Sequence, residues 1–307
     1  MSDTYQTNYA SEAEWLEARR ATIGASEVAA IAEIDEWRTP LQVYLHHTGE
    51  LTNEMDQDRA LVAHRMEPTI AALYADYTSN RVDRGSIWLI ERNHRYPWLH
   101  SSPDAIVIDP DRVDPGRLEL KLVGHHMREL WTAGPPLAYQ AQLQAQLLVS
   151  GCRWGAIAAL IGGQEFKWWQ YGADPDVHQA IVELTHAFWK DIEARRPPSP
   201  MVRDHDTLRR LFPRHLPGKT IELGEQALYW THEIQQSKAR LKIETARLRG
   251  YENQLKQILG DAEAGELPDG LGRWTWKSHE VAEHMVRAHT SRVLRLTNYQ
   301  GQEKSDE

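Results

Sequence analysis

Cysteine is nearly absent from this 307-residue chain, with Cys152 the only one. A single thiol excludes an internal disulfide, a zinc ribbon and a four-cysteine iron–sulfur cluster. Between Gly151 and Arg153 it reads as a small core residue. Long apolar runs are missing too, so no segment has the ~20 apolar residues that cross a bilayer. The opening residues, MSDTYQTNY, lack the basic and apolar regions of a signal peptide. These absences lead to the expectation of a cytoplasmic protein with no membrane partner. A basic excess is also lacking, the formal net charge being −9. That total does not favour a protein that neutralises many phosphates. It does not exclude one, because a metal-holding site concentrates carboxylates by necessity and surface charge can be segregated. What remains is ordinary: 26% charged and 41% hydrophobic residues, a globular composition. The length admits one large domain, or a domain with an extension.

The most informative stretch runs from Ser101 to Val123. It reads as a strand, an acidic turn and a second strand. In the second, Leu118, Leu120 and Leu122 alternate with Glu119 and Lys121. A strand has a side-chain period of 2, so the glutamate and lysine share one side and the leucines the other. Asp104, set by Pro103, stands at the start of the first strand. The pattern is P-D, a gap (residues 105–118), then E-x-K, which is that of the PD-(D/E)xK nucleases. Two carboxylates can hold a hard divalent cation, and a lysine can sit beside the water that it activates. E-L-K is also common on half-exposed amphipathic strands, so the motif needs company.

Upstream, Ser11 and Glu14 fit a capping box for a helix ending near Arg20. Gly24 suggests a turn, and Ser26 the N-cap of a helix over 27–34. A helix N-terminus can receive a phosphate, with Arg19 and Arg20 one turn away. Thr39-Pro40 starts a helix that stops at Gly49. Over 56–77, Ala60, Ala63, Glu67, Ile70, Ala71 and Tyr74 fall at helical spacing. Glu67 thus lies in an apolar stripe and needs a metal or cation partner. Pro68 kinks this helix or begins a new one. Residues 86–92 read as a strand. Over 137–149 glutamines alternate with alanine and leucine, which scores as strand, but propensity and length decide for helix. Gly162-Gly163 joins strands 154–161 and 166–171 as a hairpin, and 174–194 is an amphipathic helix.

The expected division is a domain over 1–200, a basic linker over 201–221 (Arg203, Arg209, Arg210, Arg214, Lys219), a long helix over 222–260 and an extension over 261–307. In the long helix Ala227, Ile234, Leu241, Leu248 and Leu255 recur every seven residues, half of a coiled-coil signature. The RWTWK segment reads as a short strand, and residues 300–307 as a disordered tail.

Taken in order, Arg19 to Ser26, Glu67, Asp104, Glu119-x-Lys121 and Tyr139 to Gln144 make the chain resemble the YqaJ-like viral recombinase family and the lambda-type exonucleases. The segments that carry the likeness are WLEARRATIGASEVA, RMEPTIAALY, SSPDA, LELK and AYQAQLQ, and it covers residues 12–196. The segment LVGHH after Lys121 departs from the family's more usual Cys/Ala-Pro, and Ala63 stands where many members have Gly.

The resemblance implies an α/β (α+β) fold, with a PD-(D/E)xK core of mixed sheet flanked by helices and a C-terminal helical arm. It implies Mg²⁺-dependent hydrolysis of DNA, with Mn²⁺ as a substitute, typically 5′→3′ from ends of linear double-stranded DNA. Such ends serve phage-type recombination in a bacterial host. Asp104, Glu119 and the Leu120 carbonyl match metal ligands, and Glu67 completes the metal site directly or through water. Lys121 matches the residue that orients or deprotonates the attacking water. Arg19 and Ser26 match the terminal-phosphate pocket, and Gln142 and Gln144 a supporting helix. The family's trimeric rings and single-strand annealing partners are expectations for residues 201–307, alongside simple bracing of the domain. A structure-specific or restriction-like endonuclease and a non-catalytic DNA-binding scaffold are the alternatives. Intact Glu67, Asp104, Glu119 and Lys121 oppose the scaffold.

Overall fold

A computed structural model describes residues 3–51, 57–279, 294 and 296. The chain divides into two compact units, Met1–Phe212 and Pro213–Glu307. The first contains β1 (Thr4–Asn8), α1 (Glu12–Arg20), β2 (Ile23–Gly24), α2 (Val28–Ile31), α3 (Pro40–His47), α4 (Gln57–Thr78), β3 (Arg81–Asp83) and β4 (Leu89–Asn93). It continues with β5 (Leu99–Ser101), β6 (Ala105–Ile108), β7 (Gly116–Val123), α5 (Leu137–Ser150), β8 (Trp154–Ile161), β9 (Glu165–Gly172), α6 (Pro175–Glu193) and α7 (His205–Leu211).

These strands make two mixed sheets, a five-stranded one ordered β3-β6-β7-β8-β9 and a four-stranded one ordered β1-β4-β5-β2. In the larger sheet β7 and β8 are parallel, with Glu119 opposite Ile157 and Lys121 opposite Ala159. The alternation in β7 has the expected result. Leu118 and Leu120 pack with Ile70, Ala71 and Tyr74 of α4. The opposite face packs Val123 and Ile157 against Leu143 and Leu147 of α5. A third cluster joins α2, α3, α5 and α6 through Val28, Leu41, Val149 and Ile181. This is an α/β architecture, mixed sheet flanked by helices.

Local signals explain several boundaries. Thr39 caps α3 in a reciprocal box with Gln42, and Pro40 takes the first turn. Asp174 caps α6 by accepting the N–H groups of Asp176 and Val177. Gly162 and Gly163 both have positive φ, +60° and +74°, as the tight β8–β9 hairpin requires. Across the two sheets Arg117 of β7 forms a bidentate pair with Glu91 of β4, at 2.6 and 3.0 Å.

Three expectations change and one is narrowed: α4 is one helix with Pro68 inside it, so no new helix begins there. Ser26 is not a helix N-cap: residues 25–27 form a 3-10 turn capped by Gly24, and α2 is only four residues long. The strand expected over 86–92 is β4 at 89–93, with β3 before it. The start of the expected linker is folded into the first unit, where a 3-10 turn over 202–204 leads into α7. There Asp204 is fully buried and accepts Thr39 Oγ1 at 2.5 Å.

The second unit holds α8 (Glu225–Leu259) and a small antiparallel pair, β10 (Ala264–Glu266) and β11 (Arg273–Thr275). Ile234, Leu241 and Leu248 of the sevenfold stripe are exposed. The tail over 300–307 lies outside the described residues. No helix among the described residues is long and apolar enough to cross a membrane.

Candidate active site

The site forms where β6 begins. Ala105 pairs with Leu118, so Leu120 lies beyond the end of the ladder and its N–H needs another acceptor. Asp104 Oδ2 supplies one at 2.7 Å. In a strand the N–H and C=O of a residue share an edge, so the Leu120 carbonyl faces the Asp104 side as well. Glu119, almost fully buried, accepts Lys121 Nζ on Oε1 at 2.5 Å and Gln146 Nε2 on Oε2 at 2.7 Å. Lys121 Nζ also lies 3.4 Å from Gln142 Oε1 and 4.7 Å from the centre of the Tyr139 ring.

This packing raises the Asp104 carboxyl well above its ordinary range. Burial is the main cause, followed by the Glu119 carboxylate, with Glu67 adding to both; Lys121 and the Leu120 amide work the other way. For Lys121, burial pushes the ammonium down, but Glu119 and Asp104 override it and the net direction is up.

Two crowded carboxylates repel, and a hard cation between them relieves that repulsion. The donor set fits such an ion: Asp104, Glu119 and the Leu120 carbonyl are all oxygen donors. Among the described residues no three His, Cys, Asp or Glu side chains converge as a ready-made cage. Mg²⁺ suits an incomplete set, since it keeps several waters. Glu67 acts on Asp104 through its charge, while its bonds go elsewhere. It pairs with the Arg84 guanidinium and accepts His64 Nδ1 at 3.2 Å.

Arg19 and Ser26 are brought together. The guanidinium lies over the Trp15 ring, 4.5 Å from its centre, with one amino group 3.5 Å from Ser26 Oγ. Burial lowers the Arg19 pKa, while Glu27, Glu119 and Asp104 pull it back up. Arg19 therefore lies within electrostatic reach of the carboxylate pair. Behind Ser26, Glu27 accepts the Gly24 N–H and His47 Nε2 on Oε2, both at 2.9 Å, and Arg38 on Oε1 at 3.0 Å. Gly24 is needed for close approach, because a Cβ there would come within 3.2 Å of His100 Nε2. That histidine is buried on Thr22 Oγ1 at 2.9 Å. Burial first, then Arg19, lowers its pKa to about 3.

Of the two glutamines expected to support the site, Gln142 reaches Lys121. Gln144 does not; it bridges the Gly172 carbonyl at 2.8 Å and the Asp174 N–H at 3.0 Å, fixing the start of α6. The residue that holds Glu119 is Gln146, which sequence reading left unassigned. It stands one helical turn after Gln142 (i, i+4), the spacing that would have found it. His125 and His126 line a cavity with Arg128, Glu129, Thr132, Glu165 and Lys167.

Residues 14–153, which carry this site, match the family model of the YqaJ-like viral recombinase domain. Among particular proteins, the chain is similar to the uncharacterised protein YqaJ of Bacillus subtilis (strain 168). The two are 24% identical over 271 residues, 86% of this chain and 83% of that one. Of solved structures, LHK-Exo in complex with dAMP matches with a TM-score of 0.50 at 20% identity, over 64% of this chain and 96% of that one. A second structure, of the alkaline exonuclease LHK-Exo from Laribacter hongkongensis, matches with a TM-score of 0.49 at the same identity and coverage. At that identity the first match is a likeness of fold. The shares covered leave about a third of this chain without a counterpart in LHK-Exo.

Proposed function

We propose that the protein is a lambda-type exonuclease that hydrolyses linear double-stranded DNA from its 5′ ends with Mg²⁺, leaving single-stranded ends for phage-type recombination. The observation that carries this reading is the meeting of Asp104, Glu119 and Lys121, with Asp104 on the Leu120 N–H at 2.7 Å and Lys121 on Glu119 at 2.5 Å. The pairing of Arg19 with Ser26 supports it, as a cation and hydroxyl suited to a terminal phosphate.

Asp104, Glu119 and the Leu120 carbonyl would hold the metal, with Glu67 completing the site directly or through water. A Mg²⁺ held there would supply charge for the phosphate and a water of lowered pKa. Lys121 holds that water in line with the phosphorus, as donor or as base. Gln146 and Gln142 keep Glu119 and Lys121 in place. Arg19 and Ser26 receive the 5′ phosphate. The exposed stripe of α8 is assigned to a second copy of the chain or to a single-strand annealing protein.

The test is to incubate linear and circular duplexes of one sequence with Mg²⁺, with Mn²⁺ and with chelator. Linear-only, metal-dependent loss from 5′ ends supports the reading. Cleavage of the circle replaces it with the endonuclease, and loss unaffected by chelator rejects the metal assignment. Two expected results sharpen it. Asp104→Asn weakens metal binding by calorimetry by about tenfold or more, since one charged ligand is lost; unchanged affinity removes Asp104 from the ligands. Arg19→Ala erases the preference for 5′-phosphorylated over 5′-hydroxyl ends, a difference of about tenfold to a hundredfold for a charge-assisted bond. A retained preference moves phosphate recognition elsewhere.

A further inference from the structure

We propose that His47 is a positioning residue for terminal-phosphate recognition: its ring ties the residue after Arg19 to the residue after Ser26 and so sets the spacing of the phosphate pocket. The proposal rests on the reading of Arg19 and Ser26 as that pocket.

His47 ends α3, and its side chain is 1% exposed. Nδ1 lies 2.7 Å from the Arg20 carbonyl and Nε2 lies 2.9 Å from Glu27 Oε2. A carbonyl only accepts, and an ionised carboxylate only accepts. Both ring nitrogens therefore donate, and the ring is an imidazolium. Glu27 is ionised: burial pushes its carboxyl up, but His47, Arg38 and the Gly24 N–H hold it far below the usual carboxylate range. The consequence is geometric. Glu27 closes the turn that presents Ser26 by accepting the Gly24 N–H, and His47 fastens that carboxylate to the last carbonyl of the helix that presents Arg19.

The charged and titratable groups around the ring come from several elements. Glu27 and Arg38 face it from the turn and the loop before α3, and His46 adjoins it with ring centres 5.6 Å apart. Arg20 approaches from α1 through its carbonyl, and His100 faces the ring from β5. From α6, Trp189 meets the ring edge-on at 6.1 Å and is itself bonded to Glu193. Arg195 reaches the Thr48 carbonyl just beyond α3. For the ring, burial acts downward, the bond and charge of Glu27 act upward, and the net direction is above the ordinary 6.5. The clamp is therefore complete at and below that value and is lost as pH rises through the raised pKa, when the neutral ring keeps only one N–H.

The experiment measures initial rates on linear duplexes with 5′-phosphate and 5′-hydroxyl ends across a pH series. The ratio at each pH cancels any titration of the hydrolytic step that both substrates share. The proteins are wild type, His47→Gln, whose amide reaches only the Nε2 position, His47→Asn, whose amide reaches only the Nδ1 position, and Arg19→Ala. Wild type is expected to lose its phosphate-over-hydroxyl ratio as pH rises. Both His47 variants are expected to lower the ratio about tenfold, the scale of one hydrogen bond to a charged group, through KM rather than kcat, and to flatten its pH dependence. Nitrogen-15 spectra of the wild type across the pH series are expected to show both His47 nitrogens protonated at pH 6 and the second proton lost only above the ordinary 6.5, a readout that needs no variant to fold. Folded His47 variants with the wild-type ratio, or a ring that loses that proton at or below 6.5, overturn the proposal. If Arg19→Ala keeps the preference, the pocket reading fails and the proposal with it. If Arg19→Ala loses the preference while the His47 variants keep it, only the His47 proposal fails.

Discussion

Lys121→Met is expected to lower hydrolysis of linear duplex DNA by roughly 10²- to 10⁴-fold, the range contributed by a positioned proton-transfer group, while the fold survives. Methionine keeps an apolar stem and removes the ammonium that lies over the Tyr139 ring. Glu119 is not orphaned by the change, because Gln146 still donates to its other oxygen at 2.7 Å. The side chain is also 22% exposed, so a substitution there opens no deep cavity. Single-turnover rates under saturating metal check the prediction, with thermal unfolding as the control. A variant within tenfold of wild type would remove Lys121 from the chemistry and leave it a partner for the Glu119 charge.

The largest effect on stability is expected at Arg117. Its pair with Glu91 is buried on both sides, Glu91 fully and Arg117 at 5% exposure. Glu91 also accepts Gln6 Nε2 at 2.7 Å and Ser101 Oγ at 3.1 Å. Removing the arginine leaves a buried carboxylate with two neutral donors and no countercharge. Arg117→Met should cost about 3–5 kcal/mol, the usual penalty for breaking a buried ion pair. That is a large fraction of the roughly 5–15 kcal/mol that stabilises a domain. Replacing both partners, Arg117→Met with Glu91→Leu, should recover part of the loss, because the unpaired charge is gone. Urea unfolding followed by circular dichroism reads both variants. A single-variant loss under about 1 kcal/mol would mean that the pair is not desolvated as the geometry requires.

The parts of this site that were legible in sequence are those with a short period. Glu119 and Lys121 alternate with leucines that have a helix to pack against, so their shared side could be read from one strand. Asp104 was legible from its spacing to Glu119. Thr39-Pro40 and Gly162-Gly163 were legible because caps and tight turns are chemically local. α5 was read as a helix on propensity and length against the pattern, because Leu143, Gln144, Ala145, Gln146 and Leu147 are all buried and no polar face marks the helical period. Where reading failed, the cause was contact at long range. Ser26 was taken for a cap because nothing local showed that Glu27 would fold back onto the Gly24 N–H. Residues 202–211 looked like a linker because their arginines dominate the composition. The residue that anchors them, Asp204, bonds to Thr39 from 165 positions away. The Glu91–Arg117 pair joins two sheets and leaves no trace in either strand's pattern.

β7 is the third of five strands, and it carries Glu119, the Leu120 carbonyl and Lys121 together. In a sheet, local fluctuations fray inward from the edges, so the middle strand opens last. The backbone that carries these residues thus shares the lifetime of the whole first unit.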